Sequence, residues 1–294
     1  MCPLCDSGDT VEIVRELRDR SDLPALKCKS CSLVFLSTFD HISDDFYQND
    51  GMFGKKFDYN IWRRNSEKDD VRRFNFLKKS LKNKVILDFG CGAGGFLKHA
   101  QNTAKAAVGL EINKSVLDFL IQDGILAYDS LENLEDKGFG KEFGNEFDII
   151  TMFHVLEHVK SPVKTLKDLR QYLKHDGEVL IEVPNADDAL LSLYRCAKYR
   201  KFAYWSCHLY CFNRKNLVKI AQNAGYKVNY LKRIQRYGLF NHLRWIFKNE
   251  PNGHKSTHFL NNSLVDRVYS MFLNMLKAND TLILSISPSP KTLP

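Results

Sequence analysis

The sequence predicts an α/β fold, in which a mostly parallel sheet is covered by helices on both faces. From residue 83 onward, strand-like apolar runs alternate with amphipathic helix patterns, which is typical of such sheets. The first run ends at Asp88 and enters a turn in which glycines alternate with small residues. The second ends in a carboxylate, Glu111, 23 residues after Asp88. Together these features predict a nucleotide-type ligand at the carboxyl ends of neighbouring strands.

The composition is that of an ordinary globular protein. Of 294 residues, 44% are hydrophobic and 27% are charged, close to the usual proportions. The sequence has no apolar run of about 18 residues. Its first residues lack the basic region and apolar core of a secretory signal. We therefore expect a cytoplasmic protein with reduced thiols and no transmembrane segment.

The net charge of +8 is concentrated in one part of the chain. Between Arg195 and Lys255 there are fourteen lysines and arginines and a single acid, Glu250. This basic face favours an anionic partner, such as a nucleotide-sugar diphosphate, a nucleic acid or the lipid headgroups of a membrane surface. A solvated basic surface with no specific partner is the alternative.

Two Cys-x-x-Cys pairs precede the α/β pattern. Cys2 and Cys5 form one pair, Cys28 and Cys31 form the other, and 22 residues separate the pairs. Four thiolates can complete a closed tetrahedron around Zn²⁺, which leaves no position for water. We therefore predict a structural zinc ion in a small ribbon over residues 1–38. A redox pair would sit at a helix start after a strand, and disulfides are disfavoured in a reducing compartment.

Residues 39–82 are predicted to connect the ribbon to the core. Their first part, residues 39–64, is rich in aromatic and acidic side chains. It can pack on the larger domain, or it can form a lid over a ligand with Tyr47 or Tyr59 reaching in. Residues 66–81 have the periodicity of an amphipathic helix, with apolar residues at Val71, Phe74, Leu77 and Leu81.

Residues 83–294 are predicted to form the core domain. The expected strands are 84–89, 106–111, 124–128, 147–152, 178–184 and 281–287. The expected helices are 96–102, 113–123, 161–176, 214–224 and 259–276. Residues 231–248 mix basic and apolar side chains. They predict an amphipathic helix. This helix could lie on anionic lipid. Alternatively, it could cover the site as part of a helical lid, which we expect to be inserted at about 237–278, before the last strand.

At these motifs the chain resembles the class I S-adenosylmethionine-dependent methyltransferases. The resemblance is carried by residues 87–94 (LDFGCGAG), Glu111, residues 147–150 (FDII) and residues 153–159 (FHVLEHV). Residues 207–213 (CHLYCFN) and 235–243 (QRYGLFNHL) resemble one branch, which is common among enzymes that modify sugars, glycans and secondary metabolites. Some sugar methyltransferases of this kind also begin with a module of Cys-x-x-Cys pairs.

The resemblance implies a Rossmann-like sheet of seven strands and S-adenosylmethionine as the cofactor. The glycine turn would take the methionine end, Glu111 the ribose hydroxyls and Ile112 the adenine face. Asp129 and Ser130 would lie at the adenine edge, and the backbone after the fourth strand beneath the methionyl arm. The implied cofactor contacts are Asp88, Gly90, Cys91, Gly92, Glu111, Ile112, Asp129, Ser130, Phe153, His154 and Leu156.

Methyl transfer to oxygen or nitrogen requires alignment of donor and acceptor and removal of one proton. His208 is the first candidate for the base, because it follows the fifth strand and imidazole titrates in a suitable range. A structural hydrogen bond is the alternative for His208. His158 and His242 are further catalytic candidates. Cys207 and Cys211 flank His208, but we expect ordinary thiols there rather than a second metal site.

The favoured function is methyl transfer to a sugar hydroxyl or carbon of an anionic small molecule or glycan. Methylation of RNA or of another small anionic metabolite is the alternative within that class. A zinc-ribbon nucleic-acid-binding module with a vestigial sheet is the alternative of another class. Acids and bases nearly balance in residues 1–31, so a nucleic-acid partner is not expected. The sequence predicts no oligomeric state.

Overall fold

The structure is a computed structural model that describes residues 1–43, 45–48, 58–136, 139–143, 146–251 and 263–290. Its strands are β1 (Thr10–Val14), β2 (Ala25–Cys28), β3 (Val34–Leu36), β4 (Val85–Phe89), β5 (Ala106–Leu110), β6 (Ala127–Tyr128), β7 (Phe147–Phe153), β8 (Leu173–Pro184), β9 (Tyr210–Cys211), β10 (Tyr226–Ile234) and β11 (Thr281–Pro288). Its helices are α1 (Tyr59–Leu81), α2 (Gly95–Ala100), α3 (Lys114–Gln122), α4 (Leu131–Asp136), α5 (Phe139–Phe143), α6 (Pro162–Leu169), α7 (Ala189–Ser192), α8 (Ala197–Ala203), α9 (Arg214–Asn223), α10 (Leu239–Lys248) and α11 (Ser263–Met275).

A seven-stranded sheet forms the centre of the molecule. Its strand order is β10-β11-β8-β7-β4-β5-β6. Strands β4 to β8 pair in parallel, whereas β11 runs antiparallel to both of its neighbours. The predicted α/β architecture, with a mostly parallel sheet of seven strands and flanking helices, is confirmed.

Successive residues of β4 face opposite sides of the sheet, as strand geometry requires. Ile86 belongs to the apolar cluster that includes Leu77 and Leu81 of α1. Leu87 belongs to the larger cluster on the other face, with residues of α6 and α9. Helix α1 begins at Tyr59, earlier than predicted, because the Asp58 side chain caps it by accepting a hydrogen bond from the Ile61 N–H.

Three core elements differ from the sequence prediction. The helix expected over residues 161–176 ends at Leu169, and residues 173–176 already belong to strand β8, because Leu173 pairs with Phe147 of β7. Residues 231–234 were expected to be helical, but they complete strand β10, and helix α10 begins only at Leu239. Residues 226–234 pair antiparallel with β11 along their whole length, and this long-range pairing outweighs the helical pattern further on. The third predicted strand, 124–128, is also shorter, because Gly124 adopts a left-handed turn conformation with φ +73°.

Helices α10 and α11 lie between β10 and β11, at the predicted place of insertion. Residues 252–262 of this predicted insertion lie outside the described residues. Within the described part of the chain, no helix is both long and apolar enough to cross a membrane.

The N-terminal ribbon is joined to the core by a shared sheet. Strands β1, β2 and β3 pair antiparallel, and β3 also pairs with β9 from the far half of the chain. The Asp19 carboxylate accepts hydrogen bonds from the N–H and the hydroxyl of Ser206. The Arg18 guanidinium lies 4.4 Å from the Trp205 ring centroid, a cation–π distance. The ribbon therefore helps to position residues 205–211.

Asp148 anchors the beginning of β4 to its neighbours. Its carboxylate accepts hydrogen bonds from the Val85 N–H and from the ammonium groups of Lys84 and Lys174, each at 2.9 Å. Burial alone would raise the pKa of Asp148, but these donors hold it below its usual value. The carboxylate therefore stabilises the fold in its ionised form.

We expect Asp148→Asn to lower the free energy of unfolding by about 1–3 kcal/mol at pH 7, because three donors lose a charged acceptor. Asp176→Asn, at an exposed position of the neighbouring strand β8, is the matched control and should change the stability by less than about 0.5 kcal/mol. Urea denaturation measures both.

The effect of Asp148→Asn should depend on pH. Because the folded-state pKa is depressed, the stabilisation is fully present above the unfolded pKa of about 3.9. It is lost as the pH falls below that value toward the folded-state pKa. If the difference in the free energy of unfolding between wild type and Asp148→Asn stays constant down to low pH, this account is wrong.

Candidate functional site

A cavity of about 780 Å³ opens at the carboxyl ends of β4, β5 and β7. Strand β4 lies between β5 and β7, so the connections from these strands diverge to opposite sides. Ligands of open α/β sheets bind at this switch point. The lining residues used below are Tyr47, Trp62, Asp69, Asp70, Arg73, Asp88, Gly90, Cys91, Gly92, Glu111, Ile112, Asp129, Phe153, His154, Val155, His158, Trp205, His208 and Arg236.

The glycine turn needs residues without a side chain. Gly90, Gly92 and Gly94 have φ values of +74°, +53° and +72°, which side chains disfavour. A Cβ on Gly92 would lie 2.8 Å from the Trp62 ring, and one on Gly90 would lie 2.5 Å from Val155. The backbone of the turn can therefore approach a ligand closely, with Trp62 packed against it.

Glu111 is attached to the glycine turn. One carboxylate oxygen accepts the Gly92 N–H at 2.9 Å and the other accepts the Asn113 N–H at 2.9 Å. Burial raises the pKa of Glu111, and these N–H groups oppose the rise. Each oxygen retains a further lone pair for a ligand hydroxyl, so the carboxylate fits a ribose. The neighbouring Ile112 side chain is 43% exposed and lines the same cavity.

Asp88 lies at the base of the cavity and is 2% exposed. It accepts a hydrogen bond from the Thr151 hydroxyl at 2.6 Å. Burial raises the pKa of Asp88 to about 7 despite this bond. The carboxyl group is therefore positioned by β7 and is close to its titration point at neutral pH.

Most of the predicted cofactor contacts come together around this cavity. Those that line it are Asp88, Gly90, Cys91, Gly92, Glu111, Ile112, Asp129, Phe153 and His154. Ser130 lies outside the lining, where its hydroxyl accepts the Asn133 N–H at the start of α4. Leu156 is fully buried in the core beneath the site.

A charged network that the sequence analysis did not identify forms one wall. Glu182 of β8 is fully buried and accepts hydrogen bonds from Arg72 and Arg73 of α1. Arg236 donates to both oxygens of Asp69. Burial alone would raise the pKa of Asp69, but Arg236 and the arginines of α1 lower it to about 2. In the sequence, the only signal for this network was the three-residue spacing of Asp69 and Arg72. That spacing predicts an ion pair along one helix, but it does not reveal the buried partner Glu182.

His154 lies where this network meets the cavity. Its backbone has φ +57°, which is costly for a residue with a side chain and is concentrated at functional sites. Its Nδ1 atom is 3.1 Å from Glu157 Oε1, and its Nε2 atom is 3.3 Å from Glu182 Oε1. Burial alone would lower the pKa of His154, but the two carboxylates raise it.

His158 and His208 face each other on the cavity wall, with ring centroids 4.8 Å apart. His158 Nδ1 lies 2.8 Å from the Cys207 carbonyl oxygen, so Nδ1 carries the proton and Nε2 presents a lone pair. Burial, together with the neighbouring His158, lowers the pKa of His208 to about 3. Burial also lowers the pKa of His158. Both imidazoles are therefore neutral at physiological pH.

The third catalytic candidate, His242, lies elsewhere. It is fully buried, and its Nδ1 atom is 2.7 Å from the Tyr269 hydroxyl, between helices α10 and α11. The described residues of these inserted helices do not line the cavity. Trp245 of α10 packs instead on Tyr199 and Phe202 of α8.

The segment before α1 contributes directly to the cavity. Tyr47 lines it, and the Tyr47 hydroxyl lies 3.4 Å from the carbonyl oxygens of His158 and Cys207. Tyr59 packs on Phe119 of α3 instead. Residues 49–57 lie outside the described residues. They include Phe53 and Phe57 of the aromatic-rich segment 39–64.

The four N-terminal cysteines converge on one point. Cys2 and Cys31 have their sulfur atoms 3.5 Å apart, those of Cys5 and Cys28 are 3.6 Å apart, and all four lie within 4.8 Å of one another. A tetrahedral ion with Zn–S bonds of about 2.3 Å requires sulfur separations of about 3.8 Å. The sulfur atoms therefore fit a four-thiolate zinc site.

Comparison with known proteins agrees with this geometry. A family model described as a methyltransferase domain matches residues 59–231. The tRNA U34 carboxymethyltransferase of Campylobacter fetus is 30% identical over 187 residues, which cover 57% of this chain and 64% of that protein. The enzyme of the same name from Helicobacter pylori strain J99 is 33% identical over 135 residues, covering 42% and 51%. The chain thus spans between half and two thirds of the length of these relatives.

A solved structure of an S-adenosylmethionine-dependent methyltransferase from Archaeoglobus fulgidus is also similar. It aligns with a TM-score of 0.48 at 16% identity, covering 78% of this chain and 94% of that one.

The glycine turn yields a test with an internal control. We expect Gly92→Ala to weaken S-adenosylhomocysteine binding at least tenfold (about 1.4 kcal/mol) in calorimetry, because the new Cβ would displace Trp62 in the cavity. Gly124→Ala introduces the same left-handed strain, with φ +73°, but into open space. It should leave binding unchanged, and equal losses in both variants would assign the effect to strain alone.

Proposed function

This chain belongs to the methyltransferase-domain family, and from that membership we propose that it binds S-adenosylmethionine in the cavity and transfers the methyl group to an anionic acceptor. The observation that carries the proposal is the glycine turn fastened to Glu111 at the ends of two adjacent parallel strands. The turn and the carboxylate together supply close backbone approach and a partner for two hydroxyls.

The cofactor, when bound, supplies an electrophilic methyl group on a sulfonium ion. Glu111 would hold the ribose through its remaining lone pairs, and the exposed Ile112 side chain would cover the adenine. The backbone of residues 90–92 would approach the methionine end. These roles agree with the resemblance described above and rest on residues that line one cavity.

The acceptor would enter on the side of His158, His208 and Trp205, which line the same cavity. His208 was the first candidate for the base, but a pKa of about 3 makes its imidazole a weak proton acceptor. We therefore assign His158 and His208 to acceptor contact. His242 stays outside the proposed site, because its hydrogen bond to Tyr269 lies between helices α10 and α11, whose described residues do not line the cavity.

We place RNA first among the acceptors. The relatives named above are tRNA U34 carboxymethyltransferases, which favours RNA over the sugar acceptor that the sequence favoured. Exposed basic residues on the chain leading to the cavity wall, among them Arg195 and Lys198, suit a polyanion. A nucleic-acid partner, which the sequence analysis did not expect, thus becomes the leading proposal.

The test is methyl transfer from labelled S-adenosylmethionine to bulk tRNA and, in parallel, to a panel of nucleotide-sugars. Glu111→Ala should weaken S-adenosylhomocysteine binding at least tenfold, because two ribose contacts are lost. Asp118→Ala, at an exposed position of α3, is the control and should bind normally. Absence of a thermal shift with S-adenosylhomocysteine would overturn the proposal, and labelling of nucleotide-sugars alone would restore the sugar acceptor.

We also infer that the four cysteines bind a structural zinc ion. Elemental analysis should find one zinc per chain at this site. Cys5→Ser removes one of the four ligands and should therefore remove that ion. Cys196→Ser, outside the cluster, should retain it. Chelation should lower the melting temperature of the wild type. Unchanged zinc content in Cys5→Ser would contradict the assignment.

A further inference from the structure

A second group of metal-binding side chains lies on the cavity wall, apart from the cysteines. Glu157, His158 and His208 each offer one ligand atom, and these atoms lie within 4.8 Å of one another. Glu157 and His158 belong to a single helical turn after β7, whereas His208 comes from the chain before β9. Both histidines line the cavity.

Two atoms in this group are buried without a partner. Glu157 is 1% exposed, and within the described part of the chain its Oε2 atom has no hydrogen-bond partner. The same holds for Nδ1 of His208. Its other oxygen, Oε1, already contacts His154 Nδ1 at 3.1 Å. A buried carboxylate oxygen left unpaired is costly, and a bound cation would offset that cost.

Neighbouring hydrogen bonds already orient two of the three side chains, His158 and Glu157, toward a cation. The Nδ1–H of His158 donates to the Cys207 carbonyl, which leaves Nε2 free to bind a metal. His154 Nδ1 contacts Glu157 Oε1, which leaves Oε2 free. Carbonyl and imidazole partners of this kind characteristically support metal ligands from behind.

We propose that Glu157, His158 and His208 bind one divalent transition-metal ion on the acceptor side of the cavity, and that this ion binds an oxygen atom of the methyl acceptor. One carboxylate with two imidazoles suits Zn²⁺, Mn²⁺ or Fe²⁺ better than Mg²⁺ or Ca²⁺. Three protein ligands leave coordination positions open, and His158 and His208 place the ion at the cavity. An acceptor hydroxyl bound there would ionise more readily than in water.

The acceptor part of this inference rests on the proposed function, but the ion site can be tested without any acceptor. The full-length protein is equilibrated with excess Zn²⁺, passed over a desalting column and analysed for zinc. Wild type should retain two ions per chain, one at the cysteines and one at the cavity. Glu157→Gln and His208→Asn should each retain one, because either change removes a ligand.

His175→Asn is the matched control, because it removes a histidine whose side chain is 88% exposed, and it should retain two ions. A cooperative thermal unfolding transition, measured without added ligand, reports whether each variant is folded. One ion in the wild type, or two in both Glu157→Gln and His208→Asn, would overturn the inference.

The two proposals can fail separately. Two ions with no S-adenosylhomocysteine shift would keep the metal site and remove the methyltransferase proposal. One ion with a normal S-adenosylhomocysteine shift would remove the metal site and keep the methyltransferase proposal. A loss of the second ion in His208→Asn with the shift retained would establish both the site and an intact cofactor pocket.

Discussion

The parallel pairing of β4 with β5 and β7 is the constraint on which the cavity depends. The register places Asp88 opposite Gly109 on one side and Thr151 on the other. All three strands therefore end at one edge, and side chains that are distant in sequence meet there. The buried hydrogen bond from Thr151 to Asp88 and the bond from the Gly92 N–H to Glu111 then hold the turn against its neighbours.

Charged groups behind this edge are compensated in pairs. Glu182 would be very costly if buried alone, but Arg72 and Arg73 surround it. Arg236 is attached to Asp69 in turn. Asp69, Arg72 and Arg73 all belong to α1. This long helix is therefore attached through Glu182 to strand β8, near the centre of the sheet. The wall of the cavity is therefore stiff on the side of α1.

The ribbon has a role beyond its own stability. By pairing β3 with β9 it attaches to the segment that carries Trp205 and His208. The Cys207 carbonyl in that segment orients the ring of His158, and Tyr47 approaches the same carbonyl. The ribbon thus contributes to the position of the cavity wall that carries His158 and His208.

The sequence by itself determined the α/β class, the glycine turn, the partner carboxylate Glu111 and the four converging cysteines. These are local patterns, or patterns whose spacing is set by one strand–helix–strand unit, and periodicity reveals them. The first half of strand β10 was recoverable in principle, since apolar and polar residues alternate over 226–230, but the mixture of basic and apolar residues from 231 onward favoured a helix.

Only the tertiary structure decided which histidines share a wall. His208 and His242 looked alike in sequence, yet the first meets Glu157 and His158 across about 50 residues of chain, while the second is buried against Tyr269. Contacts between distant segments depend on how loops return over the sheet, and no local pattern records that return. The wall that carries His158 and His208 is therefore a property of the fold, whereas the glycine turn and Glu111 can be identified in the sequence.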